Sequence, residues 1–252
     1  MKPIQIKSLE NQESGYFLQE NFLSQQECES ILRLIYDYQH KFHVPKIYRN
    51  EKPIPLNYSV IDGKVINERL PEIQSLYNSV NQIINCLTYQ PLFPLKDIQV
   101  GCNVHITEKG GTYPWHYDRN AVTALLYLNE VEGGEIEFYP DYRMILPKAK
   151  FSRLQHFLDQ IQRLSLVRST FGKRIVVKPQ PGLLLIMCGD KCLHSVHPVT
   201  GAYDRVNIVM AYDLPNASFA AVEGQLNTYL YTSEKVSISD PNYSQLGHSK
   251  RK

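Results

Sequence analysis

The stretch YPWHYDRN, residues 113–120, sets His116 and Asp118 two positions apart, just before the apolar run VTALLYLN. On an extended segment residues i and i+2 point to the same side, so an imidazole and a carboxylate at this spacing aim at one point. They could supply two of the three donors of a 2-His-1-carboxylate triad, the ligand set of a non-haem Fe(II) centre that keeps its opposite face open. An HxD pair alone is a weak signal and needs a second histidine far downstream. KCLHSVHPVTGAYDR offers His194 and His197, following the apolar strand GLLLIMCG.

Eleven positions after His194, Arg205 opens the strand RVNIVMAYD. A dicarboxylic keto acid that chelates iron through its keto and C1 carboxylate oxygens needs a cation for its far carboxylate, and arginine binds such a group through two parallel hydrogen bonds. Tyr127, in LLYLN, is placed on a facing strand to add a hydroxyl. A thiolate site at Cys188 and Cys192, close to His194, is conceivable. Neither cysteine, however, has a second soft ligand at zinc-type spacing. Five cysteines without a CxxC pair suit reduced thiols rather than a disulfide framework.

These side chains need a β-rich scaffold. From Lys96 onward, IQVGCNVHIT, VTALLYLN, GEIEFYP, GLLLIMCG and RVNIVMAYD read as short strands divided by glycine, proline and polar turns, which suggests a β-sandwich or barrel. Gly133-Gly134 reads as a tight turn with positive φ rather than a phosphate loop, since no helix start follows. Ahead of the strands, Ser24 with Glu27 forms a capping box for a helix over about 25–38, and apolar spacing predicts a second helix over Leu70–Leu87. Residues 43–63 read as loop and short strands. FSRLQHFLDQIQRL, with Phe151, Leu154, Leu158, Ile161 and Leu164 on one stripe, is an amphipathic helix inserted between strands, expected to cover a sheet edge or pack on the barrel, with a mobile lid or a dimer contact as the alternative.

A chain of 252 residues with 43% hydrophobic content suits one large domain. Twenty-seven basic against 25 acidic side chains give a net charge of +2, so bulk charge favours neither nucleic acid nor an anionic membrane. MKPIQIKSLENQES lacks the apolar segment of a signal peptide, and no apolar stretch approaches the ~20 residues of a membrane span. The expectation is a soluble, cytoplasmic protein with no nucleic-acid or membrane partner. His40, His43, His156 and His248 sit in helical or tail settings and are expected at the surface.

HYD, then TALLYLNEVEGGEIEFYP, then PQPGLLLIMCGDKCLHSVHPVTGAYDR, together with NFLSQQEC near the start, resemble the prolyl 4-hydroxylase-like branch of the Fe(II)/2-oxoglutarate-dependent dioxygenases over residues 15–213, less the insertion. The order HxD, YLN, GGE-x-x-F, P-x-x-G, H-x-V-x-PV and a basic residue is specific in combination. The resemblance implies a mainly β fold with flanking helices, built on a double-stranded β-helix (jelly-roll) core. Across residues 1–240 it places helical support at about 15–95, the jelly-roll at about 96–213 and the helical insertion at about 141–180. Residues 241–252 are expected to form a disordered tail.

By motif position the resemblance makes His116, Asp118 and His194 the catalytic iron ligands, with His194 preferred to His197, and makes Arg205 and Tyr127 partners of the 2-oxoglutarate C5 carboxylate. Two features depart from the family. NVHIT stands where many members carry a tyrosine, so that His105 or Thr107 substitutes, with Asn103 on the same strand parity. The His194–Arg205 gap is about one residue longer than usual.

Fe(II), 2-oxoglutarate and O2 are thus the expected cofactor and co-substrates. The expected reaction is hydroxylation of an unactivated C–H bond of an amino acid, peptide or small natural product, with succinate and CO2 as co-products. Related halogenases replace the carboxylate of HxD with a small residue, so Asp118 argues for hydroxylation. Alternatives are a peptidyl or protein prolyl hydroxylase, a desaturase or cyclase using the same site, and a catalytically silent jelly-roll binding protein. Trp115, Tyr117, Arg119, Asn120 and His197 are the side chains expected near substrate. For each of them ordinary packing, a solvated turn or support of the metal ligands is the competing role.

Overall fold

The structure, a computed structural model, describes residues 15–49, 56–146 and 153–215. A short strand, β1 (Tyr16–Gln19), leads into the first helix, α1 (Gln25–Lys41). Its capping box is reciprocal: Ser24 Oγ accepts from the Glu27 amide at 3.3 Å, and Glu27 Oε2 accepts from the Ser24 amide at 2.7 Å. The hairpin β2 (Lys46–Arg49) and β3 (Leu56–Ile61) follows, then α2 (Gly63–Arg69) and α3 (Pro71–Leu87). The sequence pattern does not foreshadow α2, which is seven residues long and is started by Asp62 accepting from the Val65 amide at 3.0 Å.

Next come β4 (Phe93–Pro94), α4 (Ile98–Gly101) and β5 (Cys102–Thr107). The segment IQVG, expected as strand, is therefore a single helical turn. The Asp97 side chain accepts from the Gln99 amide at 3.0 Å and starts it. Gly63 lets α2 approach this turn, because a Cβ there would lie 1.9 Å from the Ile98 carbonyl oxygen.

The remaining elements are β6 (Tyr113–His116), β7 (Val122–Tyr127), β8 (Ile136–Tyr139), α5 (Arg153–Arg163), α6 (Ser165–Phe171), β9 (Ile175–Val177), β10 (Leu184–Met187), β11 (Leu193–Val196) and β12 (Arg205–Asp213). The strands form two antiparallel sheets. The major sheet runs β1-β10-β7-β12-β5-β3-β2, with β4 also on β12, and the minor sheet runs β6-β11-β8-β9. Two such sheets stacked face to face make the double-stranded β-helix that the motifs imply.

Strand alternation divides the side chains between two cores. On β12, Val206, Ile208, Met210 and Tyr212 join Val104 and Ile106 of β5 and Leu126 of β7 against Ile35, Ile73, Val80 and Ile84 of the helices. The opposite faces of these strands turn inward, where Leu125, Tyr127, Leu185 and Met187 meet Ile136 and Phe138 of the minor sheet. Arg205, Asn207, His105, Thr107 and Thr123 share the inward parity. The helices thus stiffen the major sheet from behind and leave its polar positions in the interior.

The insertion does pack on the barrel, but it buries a polar side rather than the apolar stripe, of which Leu158 and Ile161 are only half-buried. Gln155, Asp159 and Gln162 are the buried side of α5, at 1%, 2% and 3% exposure, whereas Leu154, Phe157 and Leu164 are 57–59% exposed. Arg143 holds Asp159 with two hydrogen bonds, Nε to Oδ1 at 2.9 Å and Nη2 to Oδ2 at 2.6 Å. Gln162 Nε2 donates to the Tyr142 carbonyl at 2.7 Å. Turning the apolar stripe inward would leave the buried Arg143 and Asp159 charges unpaired, which costs about 3–5 kcal/mol. Phe151 and the expected tail, residues 241–252, lie outside the described residues.

Candidate metal centre and anion pocket

β6 ends at His116, and the chain turns through Tyr117 to Asp118 before β7 begins. β11 lies antiparallel beside β6 with His194 directly opposite His116, and the register shifts before Val196 pairs with Tyr113. The two imidazoles approach to 4.0 Å between ring centroids. His116 Nδ1 lies 2.8 Å from the Pro114 carbonyl, and His194 Nδ1 lies 3.0 Å from the Cys192 carbonyl. A carbonyl only accepts, so each Nδ1 carries the proton and each Nε2 is left as a lone-pair donor. Both Nε2 atoms face Asp118 Oδ1, at 3.5 and 3.6 Å.

The other carboxylate oxygen is held from behind. Thr123 Oγ1 donates to Asp118 Oδ2 at 2.6 Å, and Asn120 Nδ2 donates in turn to Thr123 Oγ1 at 2.8 Å and to the Val122 carbonyl at 2.7 Å. The Asp118 amide donates to the Gly189 carbonyl at 3.0 Å. A Cβ on Gly189 would stand 2.7 Å from Thr123 Oγ1, so only glycine permits this close approach. Burial works against the Asp118 carboxylate, yet His194, His116 and the Thr123 hydroxyl outweigh it and hold its pKa at about 2. Burial and the neighbouring His116 lower His194 to about 4. The three donor atoms lie within 4.8 Å of one another, the one such group of three His, Cys, Asp or Glu among the described residues. Cys192 is outside it: burial raises its thiol pKa, which keeps it protonated.

A second polar cluster occupies the inward face of the major sheet. Arg205 Cζ sits 5.0 Å from the centroid of the Tyr127 ring, and Arg205 Nη1 donates to Asn207 Oδ1. Register aligns His105, Asn207 and Tyr127 in one row across β5, β12 and β7, and sets Thr107 opposite Arg205. His105 stacks on Tyr58 with centroids 4.9 Å apart, and burial followed by the Arg205 charge lowers its pKa to about 3. It is therefore a neutral donor beside a fixed cation. Arg205 Nε is buried and lacks a hydrogen-bond partner, and the buried Tyr127 hydroxyl, beside the Arg205 guanidinium, has no acceptor for its own proton. Buried polar groups are normally satisfied, so two orphaned donors here mark a place that an anion fits. Gly134, with φ +74° at Gly133 before it and +68° of its own, makes room: a Cβ on it would lie 2.8 Å from Arg205 Cδ.

The other expected site residues fall elsewhere. Trp115 and Tyr117 occupy the outer face of the minor sheet with Tyr139, Leu193 and Tyr142. Arg168 Cζ lies 4.3 Å over the Trp115 ring and Arg143 Cζ 4.8 Å over Tyr117, so both aromatics are roofed by the insertion. His197 Nε2 bonds Glu137 Oε2 at 2.8 Å, in a cluster with Arg174 that also lies away from the triad. Asn120 is part of the carboxylate support already described, and Arg119 is buried next to it. Sequence reasoning missed Thr123, Gly189, Asn207 and Tyr58. Thr123 had a legible signal, since it shares strand parity with Leu125 and Tyr127.

Residues 102–212, which build both sheets from β5 onward, match the family model of the 2OG-Fe(II) oxygenase superfamily. No curated protein matches the chain in sequence. Among solved structures, a prolyl-4-hydroxylase from Pseudomonas putida is similar at 15% identity and TM-score 0.54, covering 79% of this chain and 93% of that one. The epimerase SnoN from nogalamycin biosynthesis, solved with Fe3+ and alpha ketoglutarate, is similar at 15% identity and TM-score 0.59, over 79% and 78% of the two chains. The carbocyclase SnoK from the same biosynthesis is similar at 14% identity and TM-score 0.59, over 83% and 86%. At these identities the likeness speaks for the fold, and the superfamily match speaks for the chemistry of the core.

Proposed function

We propose that this chain, an enzyme whose core is that of the Fe(II)- and 2-oxoglutarate-dependent oxygenases, hydroxylates an unactivated C–H bond of an amino acid, a peptide or a small natural product. Its balance is one substrate, one O2 and one 2-oxoglutarate consumed for one hydroxylated product, one succinate and one CO2. The observation that carries this reading is the convergence of two imidazole Nε2 atoms and Asp118 Oδ1 in the same barrel that buries Arg205 and Tyr127 with unmatched donors.

His116, Asp118 and His194 would hold the iron, and a facial triad of this kind leaves room for a chelating co-substrate and O2. Bound iron supplies the oxidising chemistry, coupling decarboxylation of 2-oxoglutarate to attack on the C–H bond. The chain's own residues bind and orient. Arg205 would take the far carboxylate through its guanidinium, Tyr127 would donate its hydroxyl to the same group, and neutral His105 or Thr107 replaces the tyrosine that many relatives use there. The interior apolar side chains Leu125, Leu185 and Met187 keep water from the co-substrate. Because Trp115, Tyr117 and His197 turn outward, we assign the substrate wall beside the metal to Tyr113, whose ring lies 4.6 Å from that of His116.

The test combines succinate release with product mass over panels of amino acids, peptides and small natural products. A gain of one oxygen atom supports hydroxylation. Loss of two hydrogens assigns desaturation or ring closure, and an unchanged mass with altered stereochemistry assigns epimerisation, the outcomes that the likeness to a carbocyclase and an epimerase makes worth scoring. Arg205→Ala should raise the 2-oxoglutarate requirement roughly tenfold or more, as expected for a lost charge-assisted bidentate contact, with Fe(II) still bound. Unchanged co-substrate affinity in that variant removes Arg205 from the role.

A further inference from the structure

Seven of the thirteen exposed large hydrophobic side chains among the described residues fall between Met144 and Val176, in or beside the insertion. Leu154 and Phe157 line the outer side of α5, Leu164 is the exposed N-cap of α6, and Leu166 and Phe171 of α6 are 77% and 78% exposed. The arrangement is fixed, because the polar side of α5 is tied to residues 142–146 through Arg143–Asp159, Gln155 and Gln162, and Arg143 in turn bonds the Asp190 carbonyl. A helix fastened by its polar side and bare on its apolar side is poised for something outside the chain.

The charge says what that is. Residues 144–178 carry eight Lys or Arg, of which Arg168 lies over Trp115 and Arg174 pairs with Glu137, and a single acid, Asp159, which is paired with Arg143. The rest of the chain has nineteen basic against twenty-four acidic side chains, so the modest overall charge conceals a strongly basic insertion on an acidic body. We propose that the outward face of α5 and α6 is a docking surface for an anionic lipid bilayer, on which the enzyme sits with Phe157, Leu164, Leu166 and Phe171 against the acyl-chain boundary and basic side chains such as Lys173 at the headgroups.

Apolar leucine and phenylalanine beside lysine and arginine are the features of a helix lying in the plane of an anionic interface. A second copy of this chain docked symmetrically through the same face would set one basic insertion against another. The bulk charge that argued against a membrane is an average over two opposite regions. No helix among the described residues is long and apolar enough to cross a membrane, and surface docking requires none.

The test is co-sedimentation of the full-length chain with vesicles of phosphatidylcholine alone or with about a third phosphatidylglycerol. Binding is expected on the anionic vesicles, weak on the neutral ones, and released as salt shortens the Debye length from about 10 Å to about 3 Å. Phe157→Ser combined with Phe171→Ser should lower the partition coefficient at least about tenfold. Lys173→Glu should weaken binding to anionic vesicles alone, and retained Fe(II) binding in each variant reports an intact barrel. Equal pelleting with and without anionic lipid overturns the proposal. So does a dimer in sedimentation velocity that the double phenylalanine variant splits, since the face then belongs to a second copy.

Discussion

Removing the Thr123 hydroxyl should weaken metal binding without touching a ligand. Its Oγ1 is 2.6 Å from Asp118 Oδ2, a short bond to a charged acceptor, and it is the side chain holding that oxygen while Oδ1 faces both imidazoles. A hydrogen bond to a charged group contributes about 1.5–3 kcal/mol, and Asp118 swings free of its aim when this one is lost. That energy corresponds to a roughly tenfold to hundredfold loss of Fe(II) affinity, the range expected when the support of a metal ligand is removed. Thr123→Val keeps the shape and deletes the hydroxyl, whereas Thr123→Ser keeps the hydroxyl and should restore most of the affinity. Anaerobic calorimetric titration with Fe(II) reads the constant, with near-ultraviolet circular dichroism as the check on folding. A second readout follows from protons. The Thr123 bond is one of the groups that hold Asp118 near a pKa of about 2, so in Thr123→Val the carboxyl pKa rises and protons displace the metal at a higher pH than in the parent. Parent-like affinity and an unmoved acid release curve in Thr123→Val would refute the claim that Thr123 positions Asp118.

His194→Ala should abolish stoichiometric Fe(II) binding while His197→Ala retains it, because His197 Nε2 is committed to Glu137 at 2.8 Å; the reverse pattern in metal analysis exchanges the two assignments. The metal-free protein should lose stability in acid through its buried histidines. His105 has a folded pKa of about 3 and His194 of about 4, against 6.5 when exposed, so below pH 6.5 the unfolded chain binds more protons and stability falls as the pH drops. The contribution is complete above pH 6.5 and lost down to pH 3–4. His105→Gln should flatten the fall in melting temperature, removing on the order of 2–4 kcal/mol of pH dependence by pH 3, and an unchanged slope would mean His105 is not buried as a neutral group.

The residues that carry chemistry were legible because few side chains can do what they do. A triad would need donor atoms on one side of extended chain, so His116 and Asp118 announce themselves as candidates by parity, and a far carboxylate would need a cation on an inward strand position, which Arg205 occupies. The same parity places Trp115 and Tyr117 on the other side, and both, expected near substrate, lie instead in the outer aromatic cluster. What the sequence left open were relations between distant segments. His105, Thr107 and Asn103 share a face on β5, and only register sets Thr107 opposite Arg205 and His105 in line with Tyr127. The short helices α2 and α4 have too few residues to show a period, and each rests on one aspartate cap and a close glycine or turn.

The insertion shows where periodicity stops being informative. A stripe of Leu154, Leu158, Ile161 and Leu164 states that one side of a helix is apolar, but which side the barrel receives depends on what the barrel offers. Here it offers Arg143, whose guanidinium is already directed by a bond from Nη1 to the Asp190 carbonyl at 3.1 Å and by the Tyr117 ring 4.8 Å away. A fixed, partly buried cation needs a carboxylate more than the aromatic surface around it needs leucine. Asp159 answers that need, and Gln155 and Gln162, one turn to either side, complete the polar seam. The consequence reaches the metal strand, since the groups that fasten the insertion lie on Trp115 and Tyr117, the immediate neighbours of His116. Whatever docks on the outer side of α5 therefore bears on the back of the strand that carries His116, one of the three candidate metal donors.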